Sequence, residues 1–468
     1  MQAYVSNKIT IEDASEEVLL WCKQNLEFPN PEYSKKQSLG IWVGNIQPTI
    51  VLWEKRGKDV ILPYGTKELF FRNFPVKIVM DSCLLREKFS EQIEYKSHIE
   101  PFDYQEKCLQ GISGSSNGVI VMPCGSGKTQ TALELIARIG KKTLWLTHTQ
   151  ELLKQSMERA KSCYDLSEDQ YGTITAGKVQ VGQALTFATV QTMSNIDLEP
   201  YKDYWDVIIV DECHKAVGTP TKLMMFYKVV SSLSARYKFG LTATPDRNDG
   251  LQRCMYALLG EKLYEVQKEE VKKNTVPIRV WQYRSTVYNP ENACILRPDG
   301  TLDFTKLINN LCSDINRNSD IARLVNSMNS LGKSCLVLSD RVEHLEILRE
   351  TVGKDNTLQI YSMSGSKAAK QARKDCIEKL KKKEIRCLFA TYQLAKEGLD
   401  IPSLDCVVFA TPKKDRITIV QSCGRAGRAF PGKDFGYVID YVDESMPILK
   451  GYSRGRRSIY KTEGYEVY

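Results

Sequence analysis

Three short stretches of this chain hold side chains whose types and spacing suit chemistry on a polyphosphate. The first is MPCGSGKT at 122–129, directly after the apolar run GVIVM and directly before the helical pattern QTALELIARI. A glycine-rich turn in that position points backbone N–H groups and a helix N-terminus at phosphate oxygens. Cys124, Gly125, Ser126 and Gly127 would form the cradle, Lys128 would supply positive charge, and Thr129 would offer a hydroxyl to Mg2+. Met122 stands where the strict G-x-x-x-x-G-K-S/T spacing has its first glycine. The second stretch, WDVIIVDECH, ends a continuous apolar run on Asp211 and Glu212. Carboxylates there are costly unless a cation or a partner uses them. Asp211 suits Mg2+ held through water, and Glu212 suits orienting and deprotonating an attacking water. The third, QSCGRAGR at 421–428, spaces Arg425 and Arg428 three apart among glycines. Arginines brought from a second domain neutralise charge that develops on a γ-phosphate. Cys124 and Cys423 sit beside this chemistry, where a helix N-terminus and cations lower a thiol pKa, so ATP is expected to slow alkylation of Cys124.

Such groups need strands that end side by side. Between 102 and about 270 short apolar runs (GVIVM, TLWLT, ALTFATV, WDVIIVDE, YKFGLTAT) alternate with helical stretches, the pattern of a parallel sheet covered on both faces. After a charged linker at about 266–275 the alternation starts again with SCLVLSD, TLQIYSM, IRCLFATY, LDCVVFAT and FGYVIDY. Ahead of both lies a segment with a helix predicted at 15–26 and strand-like runs at 49–53, 59–65 and 76–80, which reads as a small α/β domain. The boundaries predicted are 1–97, 98–272, 273–442 and a basic tail at 443–468.

Composition narrows the class. The chain has 468 residues, 42% hydrophobic and 26% charged, the balance of a globular protein of several domains. No apolar run is long enough to span a bilayer and the first residues show no secretory leader, so a cytoplasmic protein is expected, nucleoid-associated in a prokaryotic or phage-infected cell rather than nuclear. The 14 cysteines are scattered without a C-x-x-C pair and only 4 histidines accompany them, which favours buried free thiols over a metal site. The net charge of +8 is unevenly placed: residues 1–275 carry 34 basic and 34 acidic side chains, residues 276–468 carry 31 and 23. The surplus in the second half suits a polyanion.

GSGKT, DECH, LTATP at 241–245, FATYQLAKEGLDIPSLD at 389–405 and QSCGRAGR stand in the order and spacing of superfamily 2 helicases and translocases, and the resemblance covers about 100–440. More narrowly, LTATPDRND resembles the XPB and UvsW-type DNA helicase group, with Asn248 in place of the usual Glu of its Arg-Glu-Asp triplet. NPEY at 30–33 and LPYG at 62–65 resemble the small DNA-engaging domain that precedes the motor there. The resemblance implies two tandem RecA-like parallel-sheet domains with a small α/β N-terminal domain, an ATPase using ATP and Mg2+, and DNA as partner. It makes Gln105 the adenine contact and adds Gly398 and Asp400 to the nucleotide site. It makes His214, facing Gln421, and Thr242 and Thr244 the elements that couple hydrolysis to grip. The nucleic-acid contacts it implies are Thr149, Gln150, Thr189, Ser339, Arg341, Gly365 and Thr391. Each of these also suits a turn or helix cap. The tail RGRRSIYK at 454–461 is expected to add phosphate contacts, and KLKKKE at 379–384 to be a solvated helix face.

The function expected is ATP-driven movement along, or remodelling of, duplex, forked or branched DNA in repair, recombination or replication. Three alternatives stand beside it: an RNA helicase or transcript-release factor on the same motor, a non-enzymatic clamp, and a nuclease-coupled motor.

Overall fold

The computed structural model describes the chain apart from residues 124, 217–219, 244, 246–248, 272–274, 286–301, 355–356, 361–374, 376–377, 381 and 397–400. Cys124, Thr244, Gly365, Gly398 and Asp400, and the test of Cys124 alkylation, therefore lie outside the described residues. The chain divides into two compact units: residues 1–123 with 127–270 form the first, and residues 271–468 form the second, with which the short stretch 124–126 is grouped.

The first unit holds two large sheets and a two-stranded one, Glu27–Pro29 with Thr49–Val51. Its N-terminal part forms five strands in the order Glu54–Arg56, Asp59–Pro63, Lys8–Glu12, Gln2–Val5, Lys77–Asp81. Alternate burial along Lys8–Glu12 follows from one face packing on helix Glu16–Leu26 through Val18 and Cys22. The second sheet has eight strands in the order Lys178–Gln180, Tyr171–Thr175, Leu185–Thr189, Thr143–Thr147, Val207–Val210, Tyr237–Thr242, Asn117–Val121, Lys262–Glu265. All its pairings are parallel except the first. Every residue of Asn117–Val121, Thr143–Thr147 and Val207–Val210 is buried, which is why these strands read as unbroken apolar runs.

The N-terminal part shares its core with this sheet: one apolar cluster runs from Val5 and Leu62 through Leu259 to Val210. Gly65 of LPYG sits where a Cβ would lie 2.5 Å from the Gly260 nitrogen, so only glycine permits the approach. Tyr64 donates its hydroxyl to the Arg236 carbonyl at 2.9 Å, and the buried Lys238 ammonium lies 4.7 Å from the Tyr64 ring. Arg86 adds ion pairs to Asp203 and Asp206 at 2.9 and 3.1 Å. The LPYG segment is thus a joint within the unit.

The second unit has a seven-stranded, wholly parallel sheet: Thr357–Ile360, Cys387–Thr391, Cys335–Ser339, Cys406–Phe409, Gly436–Asp443, Ile278–Ser285, Glu466–Val467. The expected tail is part of this body. Residues 454–461 fall inside helix Pro447–Thr462, and Glu466–Val467 pairs with Ile278–Ser285. Arg456 is 2% exposed and pairs with Asp440 at 2.8 Å, while Arg457 donates to Gln282 at 3.1 Å. This corrects the phosphate-contact reading for Arg456: an inward guanidinium matched by a buried carboxylate is held too strongly to leave for solvent.

The eleven described cysteines are all buried free thiols. Cys423 is among them, and burial, with Asp440 and Glu463 nearby, raises its pKa far above the ordinary value. The expectation of an activated thiol there is corrected: desolvation outweighs the neighbouring cations. Among the described residues no helix is long and apolar enough to cross a membrane.

Candidate active site

Strand order builds the site. Tyr237–Thr242 lies between Val207–Val210 and Asn117–Val121, so the segments that follow 121, 210 and 242 leave one rim as neighbours. Ligands collect at that rim of parallel sheets, beyond the carboxyl ends of the strands. Backbone bonds set the rim: Met122 N donates to Thr242 O at 2.9 Å, and Asp211 N to Leu146 O at 2.9 Å.

The glycine turn is shaped for an anion. Gly125 has φ +81° and Gly127 φ +75°, the left-handed region that side chains rarely enter. Gly127 caps helix Lys128–Ile139, whose first turn contains Lys128 and Thr129. A Cβ at Gly127 would lie 2.6 Å from Gln105 Nε2, so a larger residue there would have to displace the end of that side chain, and the conformation itself favours glycine. Gln105 is buried; its Oε1 accepts from Phe102 N at 2.9 Å and its Nε2 donates to Gly127 O at 3.4 Å. The residue expected at adenine therefore also ties its own helix, Asp103–Gly111, to the phosphate turn.

Lys128 Nζ stands 3.9 Å from Glu212 Oε1, with both side chains largely buried. Glu212 holds φ +48°, a strained left-handed backbone for a non-glycine, and its N–H is bonded to Asp211 Oδ1 at 2.9 Å. Strain of roughly 1–3 kcal/mol at one residue persists only where the surroundings impose it, and such residues cluster at active sites. His214 is buried with Nδ1 2.8 Å from Thr242 Oγ1 and 3.4 Å from Glu212 Oε2. Lys128, Glu212, His214 and Thr242 thus form one connected chain, with Asp211 adjoining it. A glycine turn with a helix N-terminus, a lysine, a hydroxyl and an aspartate together fit a triphosphate with Mg2+: Lys128 and the turn would hold phosphate, Thr129 and Asp211 the ion.

The implied nucleic-acid residues of this unit are helix caps. Thr149 accepts from Leu152 N at 3.3 Å ahead of helix Gln150–Cys163, whose first residue is Gln150. Thr189 accepts from Thr192 N at 3.4 Å ahead of Val190–Ser194. Their strands are neighbours in register, Thr189 opposite Thr147.

In the second unit, Gln421 is buried on helix Arg416–Ala426 and Arg425 lies in its last turn, donating to the Ala395 carbonyl at 2.9 Å. Arg428 falls beyond the helix, where its backbone pairs with Thr275. Thr391 accepts from Leu394 N at 3.5 Å, another cap. Ser339 is buried with its hydroxyl 2.9 Å from His344 Nδ1, and Arg341 Nε donates to Asn309 Oδ1 at 2.8 Å. Asn309, Asn318 and His344 carry no motif and were not singled out from the sequence.

Comparison with known proteins follows these features. Residues 98–247 match the family described as type III restriction enzyme, res subunit, and residues 316–430 match the helicase conserved C-terminal domain. A protein of Acanthamoeba polyphaga mimivirus named as an ATP-dependent RNA helicase, L396, is 29% identical over 77% of this chain and 67% of its own length. The DNA 3'-5' helicase XPB of Kineococcus radiotolerans is 27% identical over 36% of this chain and 30% of its own length, so the chain spans under a third of that relative. The structure of S. cerevisiae Dbp5 bound to RNA and ADP BeF3 shares the fold, with a TM-score of 0.56 and 16% identity over 79% of this chain and 90% of that one. The two family matches fall on the two large parallel sheets, and the chain is a superfamily 2 helicase, an ATP-hydrolysing enzyme with relatives of the XPB kind.

Proposed function

We propose that the protein is an ATP-driven translocase that moves along or remodels duplex, forked or branched DNA in repair, recombination or replication. The observation that carries this is the connected chain from Lys128 through Glu212 and His214 to Thr242. Lys128 stands 3.9 Å from Glu212. An arriving triphosphate presents denser negative charge, so Lys128 turns to phosphate and Glu212 is released to orient a water and accept its proton. Bound ATP supplies the γ-phosphate that this water attacks. His214 passes the change at Glu212 to Thr242, on the strand beside the phosphate turn. Arg425 and Arg428 are assigned to the charge that develops on the γ-phosphate. Support for DNA comes from the XPB name of one relative and from the NPEY and LPYG likeness at the N-terminus. RNA is the second reading, favoured by the name of the mimivirus relative.

A panel of ATPase measurements with single-stranded, duplex, forked and four-way-junction DNA and single-stranded RNA tests this. Stimulation by forked or branched DNA above RNA is expected, and Glu212→Gln should lower turnover by about 10²-fold or more while ATP still binds. Turnover unchanged in Glu212→Gln would remove the catalytic assignment, and stimulation by RNA alone would select the second reading.

A further inference from the structure

We propose that the loop carrying Trp42, in the N-terminal part of the first unit, is a docking surface for a partner protein, and that it takes a segment in which apolar residues are interspersed with carboxylates. The inference is independent of the motor reading and of the nucleotide site.

One residue builds the support. Asn30 is buried and both ends of its amide are committed: Oδ1 accepts from Glu32 N at 3.0 Å at the start of helix Pro31–Ser38, and Nδ2 donates to Gln47 O at 2.9 Å. Its own N–H donates to Pro48 O at 2.8 Å. Residues 30–48 thus leave and return at one point, between the paired strands Glu27–Pro29 and Thr49–Val51. The asparagine of NPEY fastens this loop rather than facing a ligand. At its other end the helix stops on Gly40, which has φ +64°, and Ile41 N donates back to Lys36 O at 2.9 Å.

The side chains presented beyond that stop are apolar. Leu39 is 62% exposed, Ile41 53% and Trp42 86%, more than any other tryptophan of the chain. The indole lies across a turn at Gly44, where φ is +59° and a Cβ would stand 3.2 Å from Trp42 Cζ3. A tryptophan braced on backbone and open to solvent is the side chain that most often anchors an interface. Between Tyr33 and Trp53 the charged side chains are Lys35 and Lys36 alone. Lys36 pairs with Glu32 at 3.4 Å, whereas among the described residues Lys35 has no ion pair. Lys35 precedes Leu39 by one helical turn, so an unpaired ammonium and the apolar side chains share a side. A partner carboxylate answers the ammonium while its apolar neighbours cover Leu39, Ile41 and Trp42. A nucleic-acid strand fits less well: Leu39 and Ile41 have no ring on which a base can stack, and one unpaired lysine answers a single phosphate.

The test pans a phage-displayed library of short random peptides on the full chain and depletes it on Trp42→Ala. Survivors rich in Asp or Glu beside Leu, Ile or Phe are expected. Labelled with a fluorophore, the leading survivor should bind Trp42→Ala about tenfold or more weakly and Lys35→Glu about threefold more weakly than wild type. With its carboxylates exchanged for lysines, the same peptide should prefer Lys35→Glu to wild type. Both positions are exposed, and a thermal melt checks that each variant is folded whatever the ATPase panel shows. Survivors without an acidic excess, a library emptied by the depletion, or a charge exchange without effect would overturn the proposal and leave the motor reading intact. A labelled mixed-sequence single-stranded oligonucleotide is the competing arm. If it displaces the peptide and itself binds Trp42→Ala about tenfold more weakly, the face holds nucleic acid and the proposal falls.

Discussion

At the scale of residues, the question is how one site both makes a reaction possible and reports it. Thr242 is the test, because its hydroxyl is shared with His214 while its backbone belongs to the strand next to the phosphate turn. Thr242→Val keeps the shape and removes the bond. ATP affinity should stay within about twofold, whereas nucleic-acid stimulation of turnover should fall about five- to tenfold, the value of one buried hydrogen bond. Equal stimulation in both proteins would show that the contact is packing only. That Lys128, Asp211 and Glu212 follow buried strands was legible in the sequence, because apolar runs precede them and those residue types suit phosphate chemistry. Their consequences were less so. The left-handed backbone of Glu212 and the inward hydroxyl of Ser339 depend on partners such as His214 and His344. Asn309 and Asn318 lie on separate helices, and asparagine on a helix has no spacing that announces a role. Thr149, Thr189 and Thr391 follow a simpler rule: each lies at or just past the end of a strand and ahead of a helix, where threonine is a good cap whatever else it touches.

At the scale of elements, the strands buried on both faces were readable as apolar runs, and so were the edge strands Thr357–Ile360 and Lys77–Asp81, whereas two other edge strands were not. Lys262–Glu265 and Glu466–Val467 are short, charged and half exposed, so no apolar run marks them. Nor does any run disclose that the N-terminal sheet shares a core with the first large sheet, because continuity is a property of packing. That joint carries a titratable reporter. Lys238 is wholly buried, donates to the carbonyls of Val230 and Leu233 at 3.1 and 2.8 Å, and is pushed by burial from 10.5 down to about 8. Below pH 8 folded and unfolded chains both hold the proton, and the folded state bears the desolvation of the ammonium. Between pH 8 and 10.5 the unfolded chain binds more protons, so wild-type stability gains with rising pH, by up to about 3 kcal/mol in total. Lys238→Met lacks this term. The stability of wild type minus that of Lys238→Met, from denaturant titrations, should therefore rise from pH 8 to 10.5. Parallel curves for the two proteins would mean that the ammonium is not desolvated.

At the scale of the whole molecule, part of the charge of the second half is spoken for by the fold. Arg317 and Arg456 are buried there, and each is matched by a buried aspartate, Asp443 and Asp440, so these pairs cancel and leave the excess of 31 basic over 23 acidic side chains in the sequence unchanged. Sequence counting found the surplus but could not tell structural arginines from solvent-facing ones, since only packing separates Arg456 from Arg454 in RGRR. A surplus spread over a surface attracts a polyanion by displacing its counterions, with little regard to base sequence. Grip should therefore be salt-sensitive where catalysis is not. With about six phosphates engaged, affinity should fall on the order of 10³-fold between about 50 and 200 mM salt. The nucleic-acid-stimulated part of the ATPase should fall in parallel at fixed oligonucleotide concentration. Basal turnover, governed by the enclosed Lys128 and Glu212 pair, should change far less, because buried charges are screened weakly. If basal and stimulated rates declined together, salt would be acting on the nucleotide site itself, and the surplus in the second half would have no part in holding the strand.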